Sequence, residues 1–170
     1  MDAEQLRALQ APIKARYRES PQAAQITLSA SSRLGEGLSC RVETGHALVE
    51  AGLHRASGGS GLQACSGDML LQALAACAGV TLSAVATALG IDVRDATLRA
   101  EGQLDFRGTL GVDKTVPVGL QDIRLHIDVD SDASDEQLDT LLRLTERYCV
   151  VLQTLVQAPR LAASISRSPR

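Results

Sequence analysis

Two cysteines stand in surroundings that suit thiol chemistry. Cys77 lies in Asp68-Met-Leu-Leu-Gln-Ala-Leu-Ala-Ala-Cys77-Ala-Gly-Val-Thr, within a long helical pattern, and residues 69 to 91 carry no charge. Cys149 lies in Glu146-Arg147-Tyr148-Cys149-Val150-Val151-Leu152, near the end of a second helical pattern. Two thiols on helices that meet in the fold can form and break one disulfide, which is redox chemistry. The plain alternative for each is a small buried hydrophobe, since cysteine is among the most often buried residues. Ala75, Ala76, Ala78 and Gly79 around Cys77 let another segment approach its sulfur, and Arg147 beside Cys149 is a cation that lowers a thiol pKa where geometry allows. Of the other two cysteines, Cys40 falls in a predicted strand. Cys65 precedes the long helix, whose dipole favours a thiolate.

The elements that must position these thiols are legible from spacing. Residues 4 to 19 form a weak amphipathic helix, broken by Pro12 and ended before Pro21; residues 1–24 read as an N-terminal helical extension and 25–170 as a single domain. Gln25 to Ser31 alternates as a strand, a turn follows at Leu34-Gly35-Glu36-Gly37, Ser39 to Thr44 returns, and Ala47 to Leu53 is a third strand. Ser57-Gly-Gly-Ser-Gly61 is a loop leading to a long helix over about 68–89, with Ser66 or Asp68 to cap its start and Gly90 to stop it. Ala96 to Phe106 and Ile123 to Val129 are strands around a Gly-rich turn region. Ser134 and Gln137 make a capping box for a helix whose apolar face is Leu138, Leu141, Leu142, Thr145 and Tyr148, and Arg160 to Arg167 is a last short strand. This order predicts an α+β domain, a curved antiparallel β-sheet packed on two helices.

Composition narrows the function. The chain has 170 residues, one Phe, two Tyr and no Trp, so its core is built from Leu, Val, Ile and Ala. A net charge of -3 with scattered basic residues argues against nucleic acid. The polar start, Met1-Asp-Ala-Glu-Gln-Leu, is not a secretory segment, so the reading is cytoplasmic and the four cysteines are thiols rather than a disulfide frame. His46, His54 and His126 are dispersed and no CxxC is present, which does not support a metal site. The uncharged run is long enough for a membrane span. Its Ala, Ser and Thr content, Gln72, Gly79 and lack of flanking anchors favour a buried central helix instead.

An acid opening a long Ala/Leu-rich helix, Ala-Ala-Cys77 nine residues after it, and Tyr148-Cys149-Val150-Val151 late in the chain together resemble the OsmC-like and organic hydroperoxide resistance family, from about Gln25 to Arg167. The resemblance implies an OsmC-like α+β fold in which two chains intertwine as a homodimer with the sites at their interface. It implies Cys77 as the peroxidatic thiol, Cys149 as the resolving thiol, an arginine that activates Cys77, and an acid, in the place of Asp68, that positions the arginine. Arg33 fits the arginine's place in one branch of the family and Arg55 in another; His54 and Arg55 lead into the site loop, which favours Arg55. The implied activity is reduction of organic hydroperoxides, with no cofactor and with a dithiol reductant, lipoyl groups being the kind the family suggests. The chain departs from the family pattern in three ways: Asp68 for the usual Glu, Val150 where a Pro commonly follows the second cysteine, and Ser66-Gly67 where a Pro precedes the acid.

Two other classes of function compete. One is a non-catalytic member of the same fold, a redox sensor or a binder of a small apolar ligand. The other is a thiol acyl transferase or hydrolase, which needs a base beside Cys77, most simply His54 or His126.

Overall fold

A computed structural model describes residues 2–20, 31–34, 39–43 and 48–167. Helix α1 spans Ala3–Glu19 and runs through Pro12 rather than breaking there. Proline removes one backbone donor, and the Ala, Gln, Lys and Arg residues around it are strong enough helix formers to carry the helix past that loss. Asp2 caps its start, accepting from the Gln5 N–H at 2.8 Å while Gln5 Oε1 accepts from the Asp2 N–H at 3.1 Å.

Strands β1 (Ser31–Leu34), β2 (Ser39–Glu43) and β3 (Leu48–Gly52) form an antiparallel meander in which Arg33 faces Arg41 and Cys40 faces Ala51. The strand expected at Gln25 to Ser31 is described only at Ser31, and the expected turn after Leu34 lies outside the described residues. The free edge of β3 is met by Ala64: its N–H donates to the Glu50 carbonyl and its carbonyl accepts from Gly52, both at 3.0 Å. That bridge ties the meander to the start of the long helix.

Helix α2 (Ser66–Leu89) is the axis of the molecule. Gly90 ends it at φ 68, a left-handed conformation that glycine adopts without steric cost. Its start differs from expectation: Cys65 is the N-cap residue and makes no side-chain capping bond, while Ser66 and Asp68 fall inside the first turn. Strands β4 (Asp95–Gln103) and β5 (Gln121–Asp130) pair antiparallel as a second sheet, Leu98 opposite Ile127 and Ala100 opposite Leu125. The α+β class therefore stands, with the strands divided between two antiparallel sheets. Strand β4 ends three residues before Phe106, which instead opens a one-turn helix α3 (Phe106–Thr109) because Asp105 accepts from the Arg107 N–H at 3.0 Å.

Helix α4 (Asp135–Tyr148) begins on the expected capping box, Ser134 Oγ accepting from Gln137 N at 3.3 Å and Gln137 Oε1 from Ser134 N at 2.9 Å. Of its predicted apolar face, Leu141 and Thr145 are buried, while Leu142 and Tyr148 remain exposed. After Cys149 the chain turns into a second helix, α5 (Val150–Val156), which spacing alone did not separate from α4. The last predicted strand does not form: residues 158–167 have no regular structure, and Leu161 and Ile165 are fully open to solvent. A strand needs a partner edge, and none is offered to this segment within the described chain.

The core is two small clusters laid along α2. Leu74, Ala78 and Cys149 form one and Leu82, Ala86 and Leu141 the other, with Leu98 of β4 against both. The buried residues of α2 recur every four positions, so one stripe faces β4, α4 and α5. The rest of the helix is apolar yet open, Val80 being 74% exposed and Leu70 40%. Leu74 is wholly enclosed, so Leu74→Ala is expected to cost about 2–5 kcal/mol of stability, from lost burial plus the cavity left behind. Thermal and denaturant melts check this, and a loss below 1 kcal/mol, on the order of a surface change, would mean that the cluster collapses onto the gap.

Candidate active site

The fold brings Cys77 and Cys149 together. Cys77 is half-buried on α2, and Cys149 is wholly enclosed where α4 gives way to α5. The break is local: Cys149 takes an extended conformation (φ -72, ψ 106), which stops α4 and starts α5 at one residue. Its own backbone stays bonded on both sides, its N–H to the Thr145 carbonyl and its carbonyl from the Gln153 N–H, each at 2.9 Å. The first N–H groups of any helix lack internal acceptors. Here the amides of Val150 and Val151 favour the Cys77 thiolate, and those of Leu152 and Val151 act on Cys149.

The two thiols consequently differ. Burial pushes the Cys77 thiol up and is the largest single influence, but the opposing groups, foremost the Val151 amide, the Cys149 thiol and the Val150 amide, outweigh it and hold Cys77 below the ordinary thiol range. Cys149 moves the other way: burial raises it, and the neighbouring Cys77 raises it further against the Leu152 and Val151 amides. The Cys149 S–H thus leans on the Cys77 sulfur, one partner keeping the proton and the other inclined to lose it. Thr81 is one turn beyond Cys77 and gives its hydroxyl proton to the Cys77 carbonyl at 2.8 Å.

The remaining predicted residues lie apart from this pair. Asp68 is exposed in the first turn of α2 and has no ion pair among the described residues. Arg55 opens a 3-10 turn (Arg55–Ser57), and its exposed side chain lies across Gly61, whose φ of 76 favours glycine. Among the described residues no cation stands among the main influences on the Cys77 thiol. The Arg33 backbone belongs to β1, and its side chain lies outside the described residues. His54 turns its Nδ1 to the Ala56 N–H at 3.0 Å and stacks on Phe106 with ring centroids 5.0 Å apart. His126 sits on the exposed face of β5, 3.1 Å from Asp128. Neither histidine is placed as a base for Cys77. Cys65 is twelve residues before Cys77 on α2, which is about 18 Å along a helix axis and far beyond disulfide reach. Among the described residues no cluster of His, Cys, Asp or Glu is arranged to hold a metal ion.

The α5 amides were not foreseen from sequence, although one signal was present: Val150 carries an N–H that a proline at that position could not. This permits a direct test. Proline is accepted at the first position of a helix, and Cys149 already has the extended conformation that a following proline requires. Val150→Pro is therefore expected to keep the fold and raise the pH at which iodoacetamide alkylates Cys77 by about half a unit to one unit. An unchanged alkylation profile would mean that this amide does not act on the thiol.

An α+β chain with a long apolar helix carrying one thiol, and a second thiol brought to it by a broken C-terminal helix, defines a two-cysteine protein of OsmC-like architecture. The OsmC-like protein family model matches residues 59–164, and the chain belongs to that family. Solved structures share the fold at low identity. An OsmC-like protein from Mycoplasma pneumoniae superposes with a TM-score of 0.65 at 19% identity, over 79% of this chain and 90% of that one. An organic hydroperoxide resistance protein OsmC from Legionella pneumophila gives 0.61 at 17%, over 78% and 90%. An organic hydroperoxide resistance protein from Elizabethkingia anophelis gives 0.62 at 15%, over 79% and 91%. No curated protein matches the sequence.

Proposed function

We propose that this protein reduces organic hydroperoxides, with Cys77 as the attacking thiol and Cys149 as the resolving thiol. The observation that carries the reading is the packing of Cys77 against the enclosed Cys149, two thiols in one cluster. Family membership and similarity to proteins described as organic hydroperoxide resistance proteins support it. In this reading the Cys77 thiolate attacks the distal oxygen of the peroxide. The O–O bond breaks, the alcohol leaves with a proton, and Cys77 becomes a sulfenic acid. The Cys149 sulfur then attacks the Cys77 sulfur, a disulfide forms and water departs. A dithiol of the lipoyl kind, as a small molecule or on a protein, returns both thiols by exchange.

The arginine remains part of the proposal, with Arg55 ahead of Arg33 and Asp68 as the acid that would hold it. We place the working site in a homodimer in the cytoplasm, the second chain covering the open apolar surface of α2 around Val80 and Leu70. A non-catalytic redox sensor is the second reading, favoured by one observation: Asp68 holds no cation among the described residues. Intact-mass analysis after one equivalent of cumene hydroperoxide separates the two. A loss of about 2 Da, mapping within seconds to a Cys77–Cys149 bridge and reversed catalytically by dithiol, is the expected result. A bridge that forms but is not turned over supports the sensor, and no bridge overturns the two-cysteine reading.

A further inference from the structure

Thr145 carries a hydroxyl that the fold buries and leaves without a partner. The residue is 1% exposed and its Oγ1 makes no hydrogen bond. Its helix does not force this. A helical threonine can return its hydroxyl to the carbonyl four residues back. Thr81, Thr87 and Thr154 do so, to Cys77, Ser83 and Val150, each at 2.8 Å. Thr145 does not take the corresponding Leu141 carbonyl. A buried hydroxyl with no partner is costly, and one that forgoes an acceptor within reach points to an acceptor that is not yet there.

That acceptor is one turn away. Cys149 follows Thr145 by four residues, its N–H bonded to the Thr145 carbonyl at 2.9 Å, and both residues are sealed from solvent. Residues four apart on a helix are side-chain neighbours. Resting on the two-cysteine reading above, we propose that Thr145 is a positioning residue for the resolving step: its hydroxyl turns onto the Cys149 sulfur and holds it as a thiolate while it attacks oxidised Cys77.

The step creates the need. Cys149 gives up its proton, the Cys149–Cys77 S–S bond forms, the Cys77 S–O bond breaks, and hydroxide leaves to become water with that proton. The negative charge on Cys149 must exist briefly in a dry place. Few groups there can help it. From α2 the only titratable neighbour is Cys77, oxidised at that moment; the one charged residue of α2, Asp68, is nine residues before it. Leu98 and Ala100 of β4 and Ile123 and Leu125 of β5 face the cluster, with Arg99, Glu101, Arg124 and His126 on the opposite, exposed face. From α5 come Val151, Leu152 and Leu155, with the Leu152 and Val151 amides toward the sulfur. On α4 itself, Glu146, Arg147 and Tyr148 point outward. Among the described residues the Thr145 hydroxyl is the side-chain donor left uncommitted on the buried side.

Thr145→Val keeps the shape and removes the donor. In stopped-flow experiments with organic hydroperoxide, T145V is expected to oxidise Cys77 at the wild-type rate. It then forms the Cys77–Cys149 bridge about tenfold more slowly at neutral pH, with the pH midpoint of that step about one unit higher. The Cys77 sulfenic acid accumulates meanwhile and is captured by a dimedone probe. T145S, which restores the hydroxyl, returns both rate and midpoint toward wild type. Bridge formation in T145V at the wild-type rate overturns the proposal, as does slowing without a shift of the pH midpoint, which marks a packing effect. Should T145V not fold, T145A and T145S carry the same comparison. Absence of any Cys77–Cys149 bridge in the wild-type protein overturns both this inference and the reading beneath it.

Discussion

Cys77→Ser is expected to reduce hydroperoxide consumption to the uncatalysed background, a loss of about three orders of magnitude or more. The serine hydroxyl stays protonated at any pH the fold tolerates, so the amides of Val151 and Val150 that favour a thiolate at this position have no anion to favour. An oxygen nucleophile also cannot be carried to a sulfenic acid, so the cycle lacks its first intermediate. The substitution is conservative for the fold because Cys77 is only half-buried and keeps small neighbours on both sides. A melt matching wild type, beside steady-state assays with a dithiol reductant, therefore isolates the chemistry. Consumption that persists in this variant would place the reacting group elsewhere and remove Cys77 from the proposal.

Cys149→Ser is expected to give one turnover and then a stall. Cys77 still meets peroxide, but among the described residues no other thiol stands within reach of the sulfenic acid. It is trapped by dimedone or carried on to the sulfinic state, which exchange with a dithiol does not reverse. Cys65 cannot substitute, being about 18 Å away along a continuous helix. Cys149 is fully enclosed, so serine there buries a new hydroxyl at a cost of about 1–3 kcal/mol; Cys149→Ala should accompany it, and the two should stall alike. Undiminished steady-state turnover in both would mean that the reductant attacks the Cys77 sulfenic acid directly. Cys149 would then be a core residue.

Both expectations depend on a contact that no sequence pattern encodes. The motifs around Cys77 and Cys149 mark each thiol as a candidate by itself, and only the family resemblance implies that the two meet. Proximity arises because Leu74 and Ala78 enclose Cys149 while α4 lies along the other end of α2 through Leu141, Leu82 and Ala86. Asp68 shows the opposite case. Its place at the head of a helix is legible, since the dipole favours acids there, but a cation partner is a property of chain segments distant in sequence, and none is present among the described residues.

By itself the sequence determined what is local and periodic. The uncharged run before Gly90 could only be a long helix, alternation placed Leu125 and Ile127 on one face of β5, and Ser134 with Gln137 set the start of α4, because each is decided by backbone bonds within a few residues. What depends on partners was left to the tertiary structure: that 160–167 finds no edge to pair with among the described residues, that Cys149 breaks one helix into two, and that the α5 amides act on the two thiols. Side-chain chemistry gives a thiol its capacity. Its acidity is set by the dipoles and burial around it, and these exist only once the chain has packed.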